Sequence, residues 1–228
     1  MSAVSINKLF KSYGFEPKPR NKNQLWIKDV GYDEAPWYSE RMGLTELEDF
    51  LAVAGERIDY VKITTTQVLG HPQEWLKRKL ALYRKFAVKP YLDHGYFKRA
   101  FSMGVVDEAI EAGANLGFAA MEFMNTFGDV TSWQNKAWRQ RAFDCGMDII
   151  YEHHPESGWR SVEREAPATA KQIIDAANPF VEHGAFTVLI DHEEIELQGD
   201  ASTDVLNQVM DYFGKGGVAF EVTSPKEA

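Results

Sequence analysis

Seven short apolar stretches recur along the chain, each running into polar residues: LWIKDVG (25–31), IDYVKIT (58–64), FAVKPYLD (86–93), FAAMEFM (118–124), MDIIYEH (147–153), FTVLIDH (186–192) and GVAFEVT (217–223). Their centres are nearly continuous in apolar residues, which is how strands covered on both faces of a parallel sheet read. Between them, apolar residues fall at helical spacing over 44–55, 72–86, 105–117, 131–146, 166–184 and 202–217. Thr45, with Glu48 three residues on, predicts a capping box for the first of these helices. Gly55, Gly117, Gly146 and Gly184 stand where left-handed C-terminal caps are expected.

Strands alternating with helices, without a break in composition, predict one α/β domain over 1–228. The fold expected is a (β/α)8-type TIM barrel, with an open doubly wound sheet as the alternative. No G-x-G-x-x-G turn follows the first strand, so a dinucleotide-binding fold has no direct support. A complete barrel needs eight strands, and only eleven residues follow Gly217. The eighth strand is missing, comes from the N-terminal segment, or is borrowed from a neighbouring subunit, and these three stay open.

In such barrels the chemistry sits at the C-terminal ends of the strands. The polar residues there are Asp29 and Asp33, then Lys62 with Thr64, Thr65 and Thr66, then Asp93 and His94. Later strands bring Glu122 and Asn125, Glu152 with His153 and His154, Asp191 through Glu194, and Glu221. Glu122, Glu152, Asp191 and Glu221 come from consecutive strands and form a set that suits a divalent metal. Carboxylates with water favour magnesium, and adjoining imidazoles widen the choice to manganese or zinc. Without a cation, such a cluster would raise its own pKa values by mutual repulsion. Neighbouring residues point to opposite faces of a strand, so one of His153 and His154 faces the site. His154, one step farther into the loop, is the one expected. Lys62 lies inside an apolar strand, where a lysine is costly unless paired or functional.

Composition narrows the partners. With 44% apolar and 13% aromatic residues, the chain can bury a sizeable core. A net charge of −9 argues against nucleic acid, which needs a basic face. Cys145 is the only cysteine, so no intrachain disulfide forms, which fits a reducing compartment. No run approaches the roughly 20 apolar residues that cross a bilayer. The expectation is a cytoplasmic protein acting on a small anionic or carbonyl-containing substrate.

The motifs also carry a resemblance. KPR (18–20), followed by Asp29 and Gly31 as Asp-x-Gly, resembles the opening of the phosphosulfolactate synthase family. IDYVK (58–62), KRKLALYRKFAVKPY (77–91) with Phe97, and LGFAAME (116–122) are similar to its second, third and fourth strand segments. Glu152, Asp191 and Phe220–Glu221 fall where that family keeps acids on the next three strands. The resemblance implies a (β/α)-barrel, often a homo-oligomer, that adds sulfite to phosphoenolpyruvate with magnesium. It places Lys18 and Arg20 near the substrate and Lys62 against its negative end, and it makes Glu122, Glu152 and Glu221 rim acids near a metal; Asp29 and Asn125, as strand-end residues, complete the expected substrate-binding set.

The chain departs from the family at the loops. Asp93-His94-Gly95 replaces a Gly-Gly-Thr, Met124-Asn125-Thr126 a Ser-Asp-Gly, and His154-Pro155-Glu156 a Gly-Lys-Lys. Asp191-His192-Glu193 stands in place of a Glu-Ala-Arg. These changes remove cations and phosphate-friendly loops, so a trianionic substrate should be held poorly. The expected function is a metal-dependent lyase or synthase working through an enolate-like intermediate, with Lys62, His94 and His154 as its catalytic residues. The family's own reaction, or a non-catalytic barrel that binds through its surface, are the alternatives.

Overall fold

The computed structural model describes residues 17–20, 24–29, 43–124, 132–154, 167–199, 202–214 and 216–221. Seven strands, β1 (Trp26–Asp29), β2 (Tyr60–Ile63), β3 (Lys89–Leu92), β4 (Ala120–Phe123), β5 (Asp148–His153), β6 (Ala185–Ile190) and β7 (Val218–Phe220), form one sheet. They pair in parallel in sequence order, with Lys28 beside Lys62, Lys62 beside Tyr91, and Glu152 beside Leu189. Every strand lies within an expected run except β6, which starts one residue before its run.

The expected helices appear as α1 (Leu44–Ala54), α3 (Gln73–Lys85), α5 (Val106–Leu116), α6 (Ser132–Asp144), α7 (Ala170–Val181) and α9 (Ser202–Phe213). Three more were not anticipated: α2 (Thr65–Gly70), α4 (His94–Met103) and α8 (His192–Gln198). Each begins directly at a strand end, and Asp93 and Asp191 cap α4 and α8 by accepting from Tyr96 N and Glu193 N. The cap expected at Thr45 is a correction. The N-cap of α1 is Gly43, without a side-chain bond, and Thr45 lies inside the helix. Gly55 is right-handed because the chain continues there into a 3-10 turn, Gly55–Arg57. Gly117, Gly146 and Gly184 take the left-handed conformation expected of them, at φ 102°, 79° and 100°.

Two apolar layers result from the strand alternation. The outer one packs between sheet and helices around Val61, Ile63, Leu80, Phe97, Met121, Tyr151 and Ile190. The inner one joins residues of all seven strands: Tyr60, Tyr91, Ala120, Ile150 and Leu189, with Trp26, Phe186 and Ala219. Trp26 stacks on Tyr60 at 4.3 Å between ring centroids, and Phe186 stacks on Tyr60 at 5.4 Å. These rings make an aromatic floor inside the curled sheet.

Among the described residues there is no eighth strand and no ladder from β7 to β1. Side chains span that gap instead. Glu221, just past β7, lies 3.4 Å from Lys28 on β1 and 2.7 Å from Lys62 on β2. Among the described residues no helix is long and apolar enough to cross a membrane.

Candidate active site

The inward positions two residues beyond the aromatic floor carry the chemistry. Alternation that turns Tyr60, Ala120 and Ile150 inward does the same for Lys62, Glu122 and Glu152. The Lys62 ammonium sits 3.0 Å from Glu122 Oε1, 3.0 Å from Glu152 Oε1 and 2.7 Å from Glu221 Oε2. It is almost fully buried. Burial alone would depress its pKa, but Glu122 and Glu152 outweigh that and hold it well above the usual lysine range. Lys62 is therefore a fixed cation.

His94, the first residue of α4, joins this ring from above. Its backbone N–H donates to Glu122 Oε2 at 2.8 Å, and its ring Nδ1 pairs with Glu152 Oε2. Burial works against protonation of His94, yet Glu152 and Glu122 raise its pKa to about 10. The two glutamates behave differently. Burial, followed by the Glu152 charge, raises Glu122 to about 7. Burial pushes Glu152 the same way, but His94 and Lys62 pull it well below the ordinary carboxylate range. The proton of this carboxylate pair belongs on Glu122.

A second cluster adjoins the first. The His154 ring lies 5.6 Å from that of His94, and its Nε2 lies 3.7 Å from Glu193 Oε2. His192 Nδ1 lies 3.5 Å from Asp191 Oδ1 and 4.0 Å from Glu221 Oε1. Burial would raise Asp191, but the approach of His192 keeps its pKa low. The same approach is the main cause that raises His192.

Three groups of ligand atoms lie close enough to share an ion: His94–Glu122–Glu152, His154–Asp191–Glu193 and Asp191–His192–Glu221. The expected set of Glu122, Glu152, Asp191 and Glu221 is divided among these groups, and the Lys62 ammonium stands between Glu122, Glu152 and Glu221. In the Asp191–His192–Glu221 group, His192 Nδ1 is buried without a well-formed hydrogen bond and converges with two carboxylate oxygens, one of which, Glu221 Oε1, also accepts from Lys28 at 3.4 Å.

Other expected site residues lie elsewhere. Asp29 is a correction: strand parity turns it outward, where its carboxylate accepts from Tyr83 Oη at 2.6 Å and pairs with Lys79 at 2.6 Å. Lys18 and Arg20 are corrections too, since they precede β1 and so lie at the opposite end of the barrel. Lys18 Nζ donates to the carbonyls of Gly55, Phe86 and Ala87, and Arg20 pairs with Asp59 at 2.8 Å. Both line a cavity of about 340 Å³ at that N-terminal end, together with Tyr60, Arg84 and Lys89. Asn125 and Asp33 lie outside the described residues. Asp93 serves as a helix cap and also accepts from Thr65 N at 2.8 Å.

His153 faces outward, with Nδ1 3.2 Å from Tyr151 Oη and Nε2 3.6 Å from Glu194, whereas His154 lies at the rim. Sequence reasoning named His192 and Glu193 only as rim residues and passed over Lys28 and Tyr91. Strand parity could have found Lys28, which is level with Lys62 in the β1–β2 register.

Known proteins of similar sequence and fold bear on this site. A chain from Methanocaldococcus jannaschii named phosphosulfolactate synthase is 28% identical over 148 residues, covering 65% of this chain and 57% of that one. That match spans less than two thirds of the relative's length. A phosphosulfolactate synthase from Methanothermobacter thermautotrophicus is 22% identical over 201 residues, covering 85% of this chain and 72% of the other.

Among solved structures, KGPDC from Streptococcus mutans gives a TM-score of 0.53 at 13% identity, covering 90% of this chain and 78% of that one. A type I 3-dehydroquinate dehydratase from Clostridium difficile gives 0.54 at 8% identity, covering 90% and 76%. Likeness at that level speaks for the fold alone. The sequence profile described as (2R)-phospho-3-sulfolactate synthase (ComA) matches residues 14–228, and the chain belongs to that family.

Proposed function

We propose that this chain is a lyase-type synthase acting at the C-terminal rim on a small carboxylate or carbonyl compound, through an enolate-like intermediate. The observation that carries this reading is the His94 ring set against Glu152 above the Lys62 ring, where the two glutamates favour its protonated form. Because Nδ1 is spent on Glu152, Nε2–H is the donor a bound substrate would meet. A fixed cationic donor of this kind stabilises an oxygen as negative charge develops on it.

With a pKa of about 10, His94 is a poor base near neutral pH, so moving the proton falls to His154 beside it. Lys62 holds Glu152 and Glu221 in place, and Glu152 in turn orients the His94 ring. The aromatic floor of Trp26, Tyr60, Tyr91 and Phe186 shuts out water from below.

A divalent ion fits Asp191, His192 and Glu221, whose ligand atoms converge and whose His192 Nδ1 is held only by its contacts with the two carboxylates. Magnesium is what the family resemblance implies, and the imidazole adds manganese and zinc to the choice. Bound there, the ion would supply Lewis-acid stabilisation of a negative oxygen.

The test is solvent-proton exchange. The protein should catalyse deuterium incorporation next to the carbonyl of a 2-oxo acid in D2O, followed by proton NMR. His94→Gln and His154→Gln should each reduce the rate by roughly 100-fold or more. Exchange at the buffer rate across a panel of short 2-oxo acids would reject the reading. The family match supports a second reading, in which the chain adds sulfite to phosphoenolpyruvate. Accumulation of phosphosulfolactate in a mixture of both with magnesium would decide for it.

A further inference from the structure

The geometry points to Lys62 as a built-in cation that closes the glutamate ring to divalent ions and confines the rim to a single ion on the Asp191 side. This rests on the proposal that the rim binds an ion at all, and the test below separates the two.

Four features carry it. The ring oxygens stand 2.7–3.0 Å from Lys62 Nζ, which are ammonium distances. Magnesium would require oxygens at about 2.0–2.1 Å, so the ring would have to collapse inward after expelling the lysine. Lys62 has little room to leave, since it is 3% exposed and stands over the aromatic floor. An ion entering beside the ammonium would meet like charge in a buried space, where repulsion is poorly screened.

The ring would nonetheless hold an ion if the lysine were gone. Glu122 Oε1, Glu152 Oε1 and Glu221 Oε2 would each lose their Lys62 partner and offer a lone pair, while Glu152 Oε2 stays with His94. Lys62 also fixes the split use of Glu221. Oε2 faces the lysine, which leaves Oε1 to His192 and to Lys28 at 3.4 Å; Lys28 is 41% exposed and can swing aside for an ion, as the buried Lys62 cannot. One lysine thus selects which of two neighbouring acidic clusters is open.

The experiment is a manganese titration of the full-length protein, read by electron paramagnetic resonance and by elemental analysis after gel filtration. Wild type should bind one ion, and Asp191→Asn should weaken it by more than about 10-fold. Glu122→Gln, which keeps Lys62, should leave that affinity within about 3-fold, because Glu122 faces the lysine and not the ion. Lys62→Ala should gain a second ion that the double variant Lys62→Ala with Glu122→Gln loses.

Two results would overturn the inference: loss of the wild-type ion in Glu122→Gln, or a folded Lys62→Ala protein that binds no more ions than wild type. Should Lys62→Ala fail to fold, Lys62→Met, which keeps the apolar stem without the charge, takes its place in the same comparison. An ion bound by Lys62→Ala but by no other variant would uphold the role of Lys62 while ending the proposal that the native rim binds metal.

Discussion

Replacing Glu122 with glutamine should make the protein more stable in mildly alkaline solution. Glu122 is fully buried, accepts from His94 N at 2.8 Å, and has its pKa raised from an ordinary 4.5 to about 7. A group whose folded pKa lies above its unfolded value binds protons more tightly in the native state. The stability it contributes is complete below 4.5 and is lost as pH rises through 7. The difference of about 2.5 units corresponds to about 3 kcal/mol. Glutamine has nothing to titrate; its oxygen keeps the acceptor for His94 N while its NH2 faces Lys62, a cost of about 1 kcal/mol that is the same at every pH. Beyond that fixed cost, the variant should gain on wild type steadily from pH 4.5 to pH 8. For a chain of this length the gain corresponds to roughly 6–12 °C in melting temperature. Urea denaturation at half-unit pH steps measures it. A variant that is less stable than wild type at pH 8, or that keeps the same fall in stability between pH 4.5 and 7, would refute the reasoning.

Other outcomes follow from the same geometry. Asp29→Ala strands the buried Lys79 ammonium, and breaking such a pair costs about 3–5 kcal/mol, which a urea midpoint would show. Substrate-dependent exchange in that variant, assayed while it is folded, should stay near wild type because Asp29 faces the helices. Arg20→Met should likewise lower stability, by about 3 kcal/mol, without changing the affinity of the rim for manganese, since it breaks the pair with Asp59 at the far end of the barrel. Tyr83→Phe removes a donor from Asp29, and the buried acceptor left short should cost about 1–3 kcal/mol in thermal unfolding.

Strand positions were legible because seven apolar runs separated by polar clusters leave little freedom in a parallel sheet. Two things were harder to read. The helices α2, α4 and α8 start at the residue after a strand or its cap, so Asp93, His94, Asp191 and His192 read as loop residues bearing chemistry. Some of them are caps and some are rim groups, and only the backbone direction separates the two roles. Facing was the other difficulty. Asp29 and Lys28 differ by one step, and nothing local says which turns inward, since that depends on register with Lys62.

The placement of Lys18 and Arg20 was within reach of the sequence. Residues that precede a strand sit at its N-terminal end, away from the rim. That Lys62 would stand among three glutamates was also partly legible, because an inward lysine and several inward acids on neighbouring strands must find one another. What sequence lacked was the inward reach of Glu221, which depends on how tightly the sheet curls between β7 and β1.

The most direct test of the account is anomalous diffraction from crystals grown with manganese, collected at the manganese edge. The account predicts one strong peak among Asp191, His192 and Glu221, with the Lys62 ammonium still in contact with Glu122 and Glu152. A peak within the ring of Glu122, Glu152 and Glu221, with Lys62 displaced, would contradict it.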